Sequence, residues 1–269
     1  MKVIENLPAA EYHAHPAVSK SVLDKIARSP LHARAYLDGQ RDEPTSAMQF
    51  GTALHSAILE PDIFARQYAT FSGDRRTKDG KARYEELLSR GATVITAADH
   101  DVITAMVTSI RNHPTAAKLL QAGIAEASVF WQDQDTGLDC KCRPDWWSRE
   151  DGLVVDIKTT EDASPAGFAR SVAAYRYHVQ AAHYRAGTKA SRFVFVAIEK
   201  KAPYAVAVYE LDPVSLDVGW QARNYDLATY EVCARTNHWP GYPTEIQPLT
   251  LPAWAFPKTE SEEVEVSYV

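Results

Sequence analysis

Apolar residues recur at helical spacing through the first part of the chain. Three segments show this pattern: SVLDKIARS after Ser19, LHARAYLDG after Pro30, and AMQFGTALHSAILE further on. Ser19 has the short polar side chain typical of a helix N-cap, and proline is common in a first helical turn. We therefore predict that residues 1–125 form a mainly helical N-terminal part that needs no strand.

From Glu126 onward the spacing of apolar residues changes to that of β-strands. ASVFWQD, GLDCKCRPDWW and GLVVDIKTT are β-rich runs separated by turn-forming residues, which predicts three consecutive antiparallel strands. A helical stretch follows and ends at Gly187, then come the strands RFVFVAIEK and YAVAVYEL and a long helix from about Pro213. This order predicts an α/β fold of the α+β type, with a mixed sheet flanked by helices over residues 126–238. Residues 239–269, rich in proline and then acidic, are predicted to be a solvated tail.

The composition fits a folded protein outside the membrane. The chain has 269 residues, of which 45% are hydrophobic, enough to bury a sizeable core. Apolar runs stay well short of the roughly 20 residues that span a bilayer, and the first residues lack a secretory signal pattern. We therefore expect a cytoplasmic protein with no membrane association. Cys140, Cys142 and Cys233 are too few for a disulfide framework or a zinc site, which predicts buried or strand-facing free thiols.

The formal charge of −6 argues against a protein that coats nucleic acid through a generally basic surface, since phosphate neutralisation needs clustered lysine and arginine. A local basic groove remains compatible with that charge. The segment 71–84 contains five cations near two glycines. It is either a loop of solvated charges or a mobile loop over a substrate.

Two motifs on neighbouring predicted strands carry the candidate chemistry. Pro144-Asp145 ends the second strand and Asp156-Ile157-Lys158 lies in the third, so hairpin pairing would bring the two aspartates side by side. Alternation places Asp156 and Lys158 on one face and Ile157 on the opposite, buried face. The carboxylates suit Mg²⁺, which can activate water and orient a phosphate, and a lysine there would hold the water or neutralise phosphoryl charge. An exposed ion pair is the alternative for Asp-x-Lys alone, but the preceding apolar run places these charges next to a core.

Four motifs occur in order between about residues 19 and 198. They are FGTALHSAILEP with His55, EASVFWQDQDTGLDCKCRPDWW with Glu126 and Asp145, VVDIKTT with Asp156 and Lys158, and YRYHVQAAHYRAG with Gln180 and Tyr184. In these motifs the chain resembles the PD-(D/E)xK nucleases, in particular the branch with RecB-type nuclease domains, RecE (exodeoxyribonuclease VIII) and the phage lambda exonuclease. The resemblance is strongest to RecE-like phage proteins and implies a PD-(D/E)xK nuclease core of phage or prophage origin.

The resemblance implies a metal site. It assigns His55, Asp145 and Asp156 as ligands and Lys158 as the residue that activates water. Without the resemblance, a histidine on a helix is more often a core or surface residue than a ligand. Glu126 matches a glutamate that helps to organise the site, and an exposed residue at the start of a strand is the alternative.

The resemblance also implies contacts with DNA. Gln180 and Tyr184 are four residues apart on a helix and share a face. As a QxxxY motif they would line the active site and contact the DNA backbone; a polar-aromatic surface pair is the alternative. Ser19 and Arg28 fall in the segment that helps to receive the DNA end and would contact its 5′-phosphate, although Ser19 could serve as a helix cap alone.

The implied activity is a magnesium-dependent exonuclease that degrades double-stranded DNA ends from 5′ to 3′. The mixed ligand set would also accept Mn²⁺, and three cysteines are too few to hold an iron–sulfur cluster. The resemblance further implies a single-strand annealing protein as partner and a homo-oligomer that forms a ring around DNA. An endonuclease, a single-strand-specific nuclease and a catalytically inactive DNA-binding module are the alternatives.

Overall fold

The computed structural model describes residues 1–40, 43–252 and 255–256. Helices occupy much of the chain and strands are concentrated in its second half. The helices are α1 (Ala9–Ala14), α2 (Lys20–Arg28), α3 (Pro30–Leu37), α4 (Ser46–Leu59), α5 (Pro61–Gln67), α6 (Lys78–Ser89), α7 (Ala97–Asn112), α8 (Pro114–Leu119), α9 (Pro165–Ala174), α10 (Tyr177–Thr188) and α11 (Pro213–Thr236). The strands are β1 (Lys2–Ile4), β2 (Tyr68–Phe71), β3 (Thr93–Thr96), β4 (Ile124–Ala125), β5 (Ser128–Gln132), β6 (Asp139–Cys142), β7 (Trp146–Ser148), β8 (Leu153–Thr160), β9 (Arg192–Glu199) and β10 (Val206–Glu210).

A mixed five-stranded sheet forms the centre of the protein, in the order β10-β9-β8-β7-β4. The pair β8 and β9 is parallel over eight residues, and the crossover between the two strands contains α9 and α10. The other neighbours in this sheet pair antiparallel. A second sheet has the order β1-β5-β6, and β2 pairs with β3 in a small parallel sheet.

Two hydrophobic cores lie on opposite faces of the central sheet. Val154 and Phe195 belong to a core that also contains residues of α2, α10 and α11. Val155 and Ile157 belong to the other core, which is built with α4 and α7. Because strand side chains alternate, β8 contributes to both cores and is buried on both faces, as expected for a strand with a parallel neighbour.

The prediction of three consecutive antiparallel strands is wrong. The run that was expected to form the second strand divides at Arg143–Asp145: β6 ends before this tripeptide and β7 begins after it. Strands β5 and β6 pair in one sheet, while β7 and β8 pair in the other. Pro144 lacks a backbone N–H and so cannot support a continuous ladder, which explains why the chain changes sheets there.

Local structure differs from the sequence prediction at three further places. The first 125 residues do contain strands, because β1 and β4 each add to a sheet built mainly from later residues, and β2 pairs with β3. The predicted single helix after β8 is two helices, separated at Arg176, whose backbone is left-handed with φ 54°. The second of them continues beyond Gly187 to Thr188. The segment 71–84 is only partly a loop, since α6 begins at Lys78.

Other features agree with the sequence. Helices α2, α3 and α4 lie where the helical spacing predicts them. Ser19 occupies the N-cap position of α2, but its side chain makes no capping hydrogen bond. All three cysteines are buried free thiols. Among the residues described, none of the helices combines the length and apolar character needed to cross a bilayer. Most of the predicted acidic tail, residues 257–269, lies outside the described residues.

Candidate metal centre

Strand β8 extends beyond its neighbour β7, and side chains occupy the edge that β7 leaves open. Pairing with β7 ends at Val155, opposite Trp146, which places Asp145 beside Asp156 as the hairpin argument predicts. The Ile157 N–H donates to Asp145 Oδ2 at 2.7 Å, and Ile157 O lies 2.9 Å from His55 Nε2. The backbone of β8 therefore fixes a carboxylate and an imidazole at the same point.

The contact with the Ile157 carbonyl determines which nitrogen of His55 is free. A carbonyl oxygen can only accept, so in a neutral imidazole Nε2 carries the hydrogen and Nδ1 keeps its lone pair. Nδ1 lies 3.6 Å from Asp145 Oδ1. Hydrogen bonding of the second ring nitrogen to a carbonyl is how proteins orient a metal-binding histidine. His55 is therefore held ready to ligate through Nδ1.

Glu126 completes a cluster with these two residues. Its backbone is left-handed with φ 51°, and its N–H donates to the carbonyl of Asp145 at 3.1 Å. One ligand atom each of His55, Glu126 and Asp145 lies within 4.8 Å of the others. One imidazole nitrogen and two carboxylates suit Mg²⁺ or Mn²⁺, which keep some positions for water or phosphate. These residues fit a divalent cation.

Burial raises the free energy of the ionised carboxylates in this cluster when no cation is bound. Burial and the neighbouring Asp145 raise the pKa of Glu126 to about 7, although Arg143 opposes the shift. Arg143 Nε lies 2.8 Å from Glu126 Oε2 and forms an ion pair with this carboxylate. A proton and a metal ion compete for the Glu126 carboxylate. Metal binding should therefore release protons near neutral pH.

Asp156 lies outside the three-residue cluster and has different partners. It is fully buried; Gln180 Nε2 donates to its Oδ1, and Lys158 Nζ lies 2.5 Å from its Oδ2. Burial raises the pKa of Asp156 to about 6, against the effect of Lys158. Direct ligation by Asp156 stays a prediction, whereas its contact with Lys158 places the lysine beside the cluster.

Lys158 is held as a cation. Burial alone would lower its pKa, but Asp156 and Asp145 outweigh that effect and raise it. Its ammonium also lies 4.7 Å from the centre of the Tyr177 ring, a favourable cation–π distance. Lys158 therefore remains protonated and acts as a hydrogen-bond donor and positive charge.

The cluster opens into a cavity of about 1130 Å³ between the N-terminal residues, α2, α4 and β8. His55, Glu126, Lys158 and Tyr184 line it, and so does Ser19. The lining also contains further cations: Lys20, Arg34, Lys141 and Arg143. Glu60 and Glu126 are its only carboxylate-bearing residues within the described part of the chain. Lysine and arginine thus outnumber carboxylates in the cavity lining of a negatively charged chain, which suits a polyanion. Lys20, Arg143 and Lys158 are each held by an ion pair, with Asp24, Glu126 and Asp156 respectively.

The predicted DNA contacts divide between the cavity and other parts of the surface. Gln180 and Tyr184 share a face of α10 as predicted, with Gln180 at Asp156 and Tyr184 in the cavity wall. Arg28 does not line this cavity; its side chain is exposed and its Nε lies 3.4 Å from the hydroxyl of Tyr242. Of the two 5′-phosphate candidates, the structure thus brings only Ser19 to the cavity.

Sequence reasoning missed several residues of the site. Arg143 precedes the Pro-Asp motif directly, and Tyr177 lies three residues before Gln180, so only proximity in sequence could have suggested them. Lys141 is buried, and its ammonium donates to the carbonyls of Tyr12 and His15 at 2.6 Å each. It thereby fixes the segment that forms one wall of the cavity, and this contact gives no signal in the sequence.

Replacing Glu126 by glutamine should flatten the pH dependence of stability in the metal-free protein. A carboxyl whose folded-state pKa is raised from 4.5 to about 7 stabilises the fold at low pH, and this contribution is lost as pH rises between those values. In EDTA, the Tm of the parent should therefore fall more steeply than that of Glu126→Gln from pH 4.5 to 7. Differential scanning calorimetry across this range measures both slopes.

Glu60→Gln provides a graded comparison, because the charge of Glu60 is one of those that raise the pKa of Glu126. It should reduce the slope less than Glu126→Gln does, since burial and Asp145 act on Glu126 more strongly. Equal slopes for the parent and Glu126→Gln would contradict the assignment of a raised pKa to Glu126.

Comparisons with known proteins place this fold. A family model described as a PDDEXK-like domain of unknown function (DUF3799) matches residues 19–251. Among solved structures, a candidate exonuclease from Eubacterium rectale has a TM-score of 0.60 and 14% identity, covering 90% of this chain and 97% of that one. A phage-related exonuclease from Haemophilus somnus 129PT has a TM-score of 0.37 and 12% identity, covering 86% of this chain and 100% of that one. No curated protein matches the chain. The family match and the observed sheet confirm the predicted α/β fold with a PD-(D/E)xK core.

Proposed function

Because this chain belongs to the DUF3799 family of PDDEXK-like domains, we propose that it is a metal-dependent exonuclease that degrades linear double-stranded DNA from 5′ to 3′. The family and the exonuclease fold neighbour support a nuclease. The direction of degradation and the preference for DNA ends come from the resemblance to RecE-like proteins and form part of the proposal.

One observation carries the proposal more than any other. The cluster of His55, Glu126 and Asp145 lies beside the Asp156–Lys158 ion pair and opens into a cation-rich cavity. A ligand set for a hard cation, a fixed ammonium and a polyanion cavity are the three parts that hydrolysis of a phosphodiester needs. An ordinary surface ion pair would need none of the surrounding arrangement.

The residues of the chain divide the work of hydrolysis. A bound Mg²⁺ supplies Lewis acidity toward water and phosphate at the cluster. Lys158 Nζ donates to an oxygen of the scissile phosphate or of the attacking water and neutralises charge that develops in the transition state. Asp156 keeps this ammonium in position, and Gln180 keeps Asp156 in position through its amide N–H.

Other residues would bind the DNA rather than act on it. Tyr184 and Ser19 line the cavity and are proposed to contact the backbone of the strand being cut. Lys20 and Arg143 add positive charge on the same walls. Arg28 keeps its predicted role as a 5′-phosphate contact only if the DNA end reaches the surface near Tyr242.

The proposal includes partners that the resemblance implies. The strand left by 5′ to 3′ degradation would pass to a single-strand annealing protein in the cytoplasm. A ring of identical subunits would concentrate the basic cavities around the duplex and leave the net negative charge outside. Size-exclusion chromatography with light scattering tests the ring directly.

Digestion of linear duplex DNA labelled separately at each 5′ or 3′ end tests the activity. With Mg²⁺ we expect early loss of the 5′ label, no cleavage in EDTA, and an intact closed circular duplex. Cutting of the circle would identify an endonuclease. Faster digestion of single-stranded DNA than of the duplex would identify a single-strand-specific nuclease. DNA binding without cleavage in Mg²⁺ or Mn²⁺ would identify an inactive binding module.

A further inference from the structure

A second cavity of about 850 Å³ lies on the other side of α4, between this helix and the small parallel sheet of β2 and β3. Four aromatic side chains line its walls: Phe50, Tyr68, Phe71 and Tyr84. Phe71 is buried behind the wall, while the other three are half-buried. Phe71 and Tyr84 meet edge to face, with ring centres 5.4 Å apart. None of the residues assigned to the metal centre lines this cavity in the described part of the chain.

Two arginines stand at the rim of this cavity. The Arg75 guanidinium lies 4.8 Å from the centre of the Tyr84 ring, and the Arg76 side chain is 95% exposed. The segment 71–84 that contains them has five cations against two aspartates. This part of the surface therefore attracts phosphate even though the whole chain is negative.

The acidic residues of the cavity are already engaged. Asp74 Oδ1 accepts from the Arg76 backbone N–H at 2.8 Å and lies 3.5 Å from its Nε. Asp99 accepts from the hydroxyl of Thr96 at 2.7 Å in the first turn of α7. The Asp74 side chain is nevertheless 57% exposed and offsets part of the charge of Arg76. The positive charge of the rim therefore comes from Arg75, which lies on the Tyr84 ring, and from the excess of cations in the segment 71–84.

Hydrogen bonds restrain the backbone of the loop that carries the arginines. The Thr77 hydroxyl donates to the Asp74 carbonyl at 2.9 Å and accepts from the Gly80 N–H at 3.0 Å, which ties the loop to the start of α6. A Cβ on Gly80 would lie 1.9 Å from the Asp74 carbonyl oxygen, so only glycine allows this close approach. The backbone that carries the two arginines is thus tied to α6 at the rim of the cavity.

The two cavities are joined along α4 and β2. Tyr68 lines both, while α4 presents His55 to the first cavity and Phe50 to the second. The second cavity therefore lies next to the first, around α4 and β2, within reach of a polymer bound at the metal centre.

We propose that this second cavity binds single-stranded DNA: the strand that remains when its complement is degraded at the metal centre. Aromatic side chains that stack on bases, together with cations that follow the backbone, are the usual means of holding single strands without sequence preference. A duplex would bury its bases and could use only the arginines. The inference rests on the proposed function, since degradation of one strand produces this ligand.

The test measures binding of a fluorescent oligothymidine to the full chain in EDTA, with a blunt DNA hairpin as the duplex probe. Arg75→Gln/Arg76→Gln should weaken oligothymidine binding about tenfold and reduce the slope of log affinity against log salt by about 1.4, or about 0.7 for each lost phosphate contact. Tyr84→Leu should weaken it at least about fivefold, and Tyr84→Phe should restore it, because stacking needs the ring.

Lys200→Gln/Lys201→Gln is the matched control, because these lysines pair with Glu161 and line neither cavity. It should bind oligothymidine like the parent. The proposal is overturned if the arginine variant binds oligothymidine as tightly as the parent, or if hairpin binding falls by the same factor.

A small phosphodiester separates this inference from the proposed function. Cleavage of thymidine 5′-phosphate p-nitrophenyl ester needs the metal centre but not the second cavity, so the arginine variant should cleave it at the parent rate in Mn²⁺. If the parent cleaves no ester or DNA but its oligothymidine binding depends on Arg75 and Tyr84, the nuclease proposal fails and a single-strand site remains.

Discussion

Replacement of Lys158 by methionine is expected to reduce cleavage of linear duplex DNA roughly 10³-fold, the size of effect typical of losing one donor to transition-state charge. Methionine keeps the length of the side chain over the Tyr177 ring but removes the ammonium that lies 2.5 Å from Asp156. Single-turnover cleavage in Mg²⁺ measures the loss. Metal binding should remain, since Lys158 is not a ligand; the shift of Tm by Mn²⁺ measures it.

Lys20→Met is the matched control for this experiment. Lys20 is a second lysine of the same cavity, 5.9 Å from the Tyr177 ring and paired with Asp24 at 2.6 Å. If Lys158 acts on the scissile phosphate, Lys20→Met should weaken DNA binding far more than it slows the single-turnover rate. A Lys158→Met protein that cleaves at the parent rate would remove Lys158 from the mechanism.

Asp145→Asn is expected to lose both metal binding and cleavage. Asparagine retains a carbonyl oxygen that can accept from the Ile157 N–H, so the contact with β8 survives while the charge is lost. Mutation of a residue that hydrogen-bonds to a metal ligand typically costs about 10–100-fold in metal affinity. Loss of the charge on a ligand itself should therefore cost at least about 100-fold. Isothermal titration calorimetry with Mn²⁺ in the absence of DNA measures the metal affinity.

The β-hairpin of β7 and β8 offers a control for Asp145. Asp151 accepts from the Ser148 hydroxyl at 2.7 Å at the turn end of β7 and β8. Asp151→Asn should therefore bind Mn²⁺ like the parent. Unchanged Mn²⁺ affinity in Asp145→Asn would show that the cluster is not the metal centre. Asp156→Asn, measured in parallel, decides whether the buried aspartate ligates directly.

Much of the candidate site follows from local sequence. Alternation along β8 places Asp156 and Lys158 on one face and buries Ile157 on the other, as the structure shows. Pairing of β7 with β8 brings Asp145 beside Asp156, because a short turn joins the two strands. Spacing of four residues on α10 puts Gln180 and Tyr184 on one face.

The sequence by itself thus determined the hairpin, the helix that carries His55, and the family to which the motifs belong. Only the tertiary structure decided which side chains meet. Glu126 reaches His55 and Asp145 through a left-handed backbone, and Ile157 O sets the free nitrogen of His55 across 102 residues of chain. Periodicity and turn propensity act over a few neighbouring residues. Contacts between distant segments depend instead on how the two cores pack against the central sheet, which no local pattern encodes.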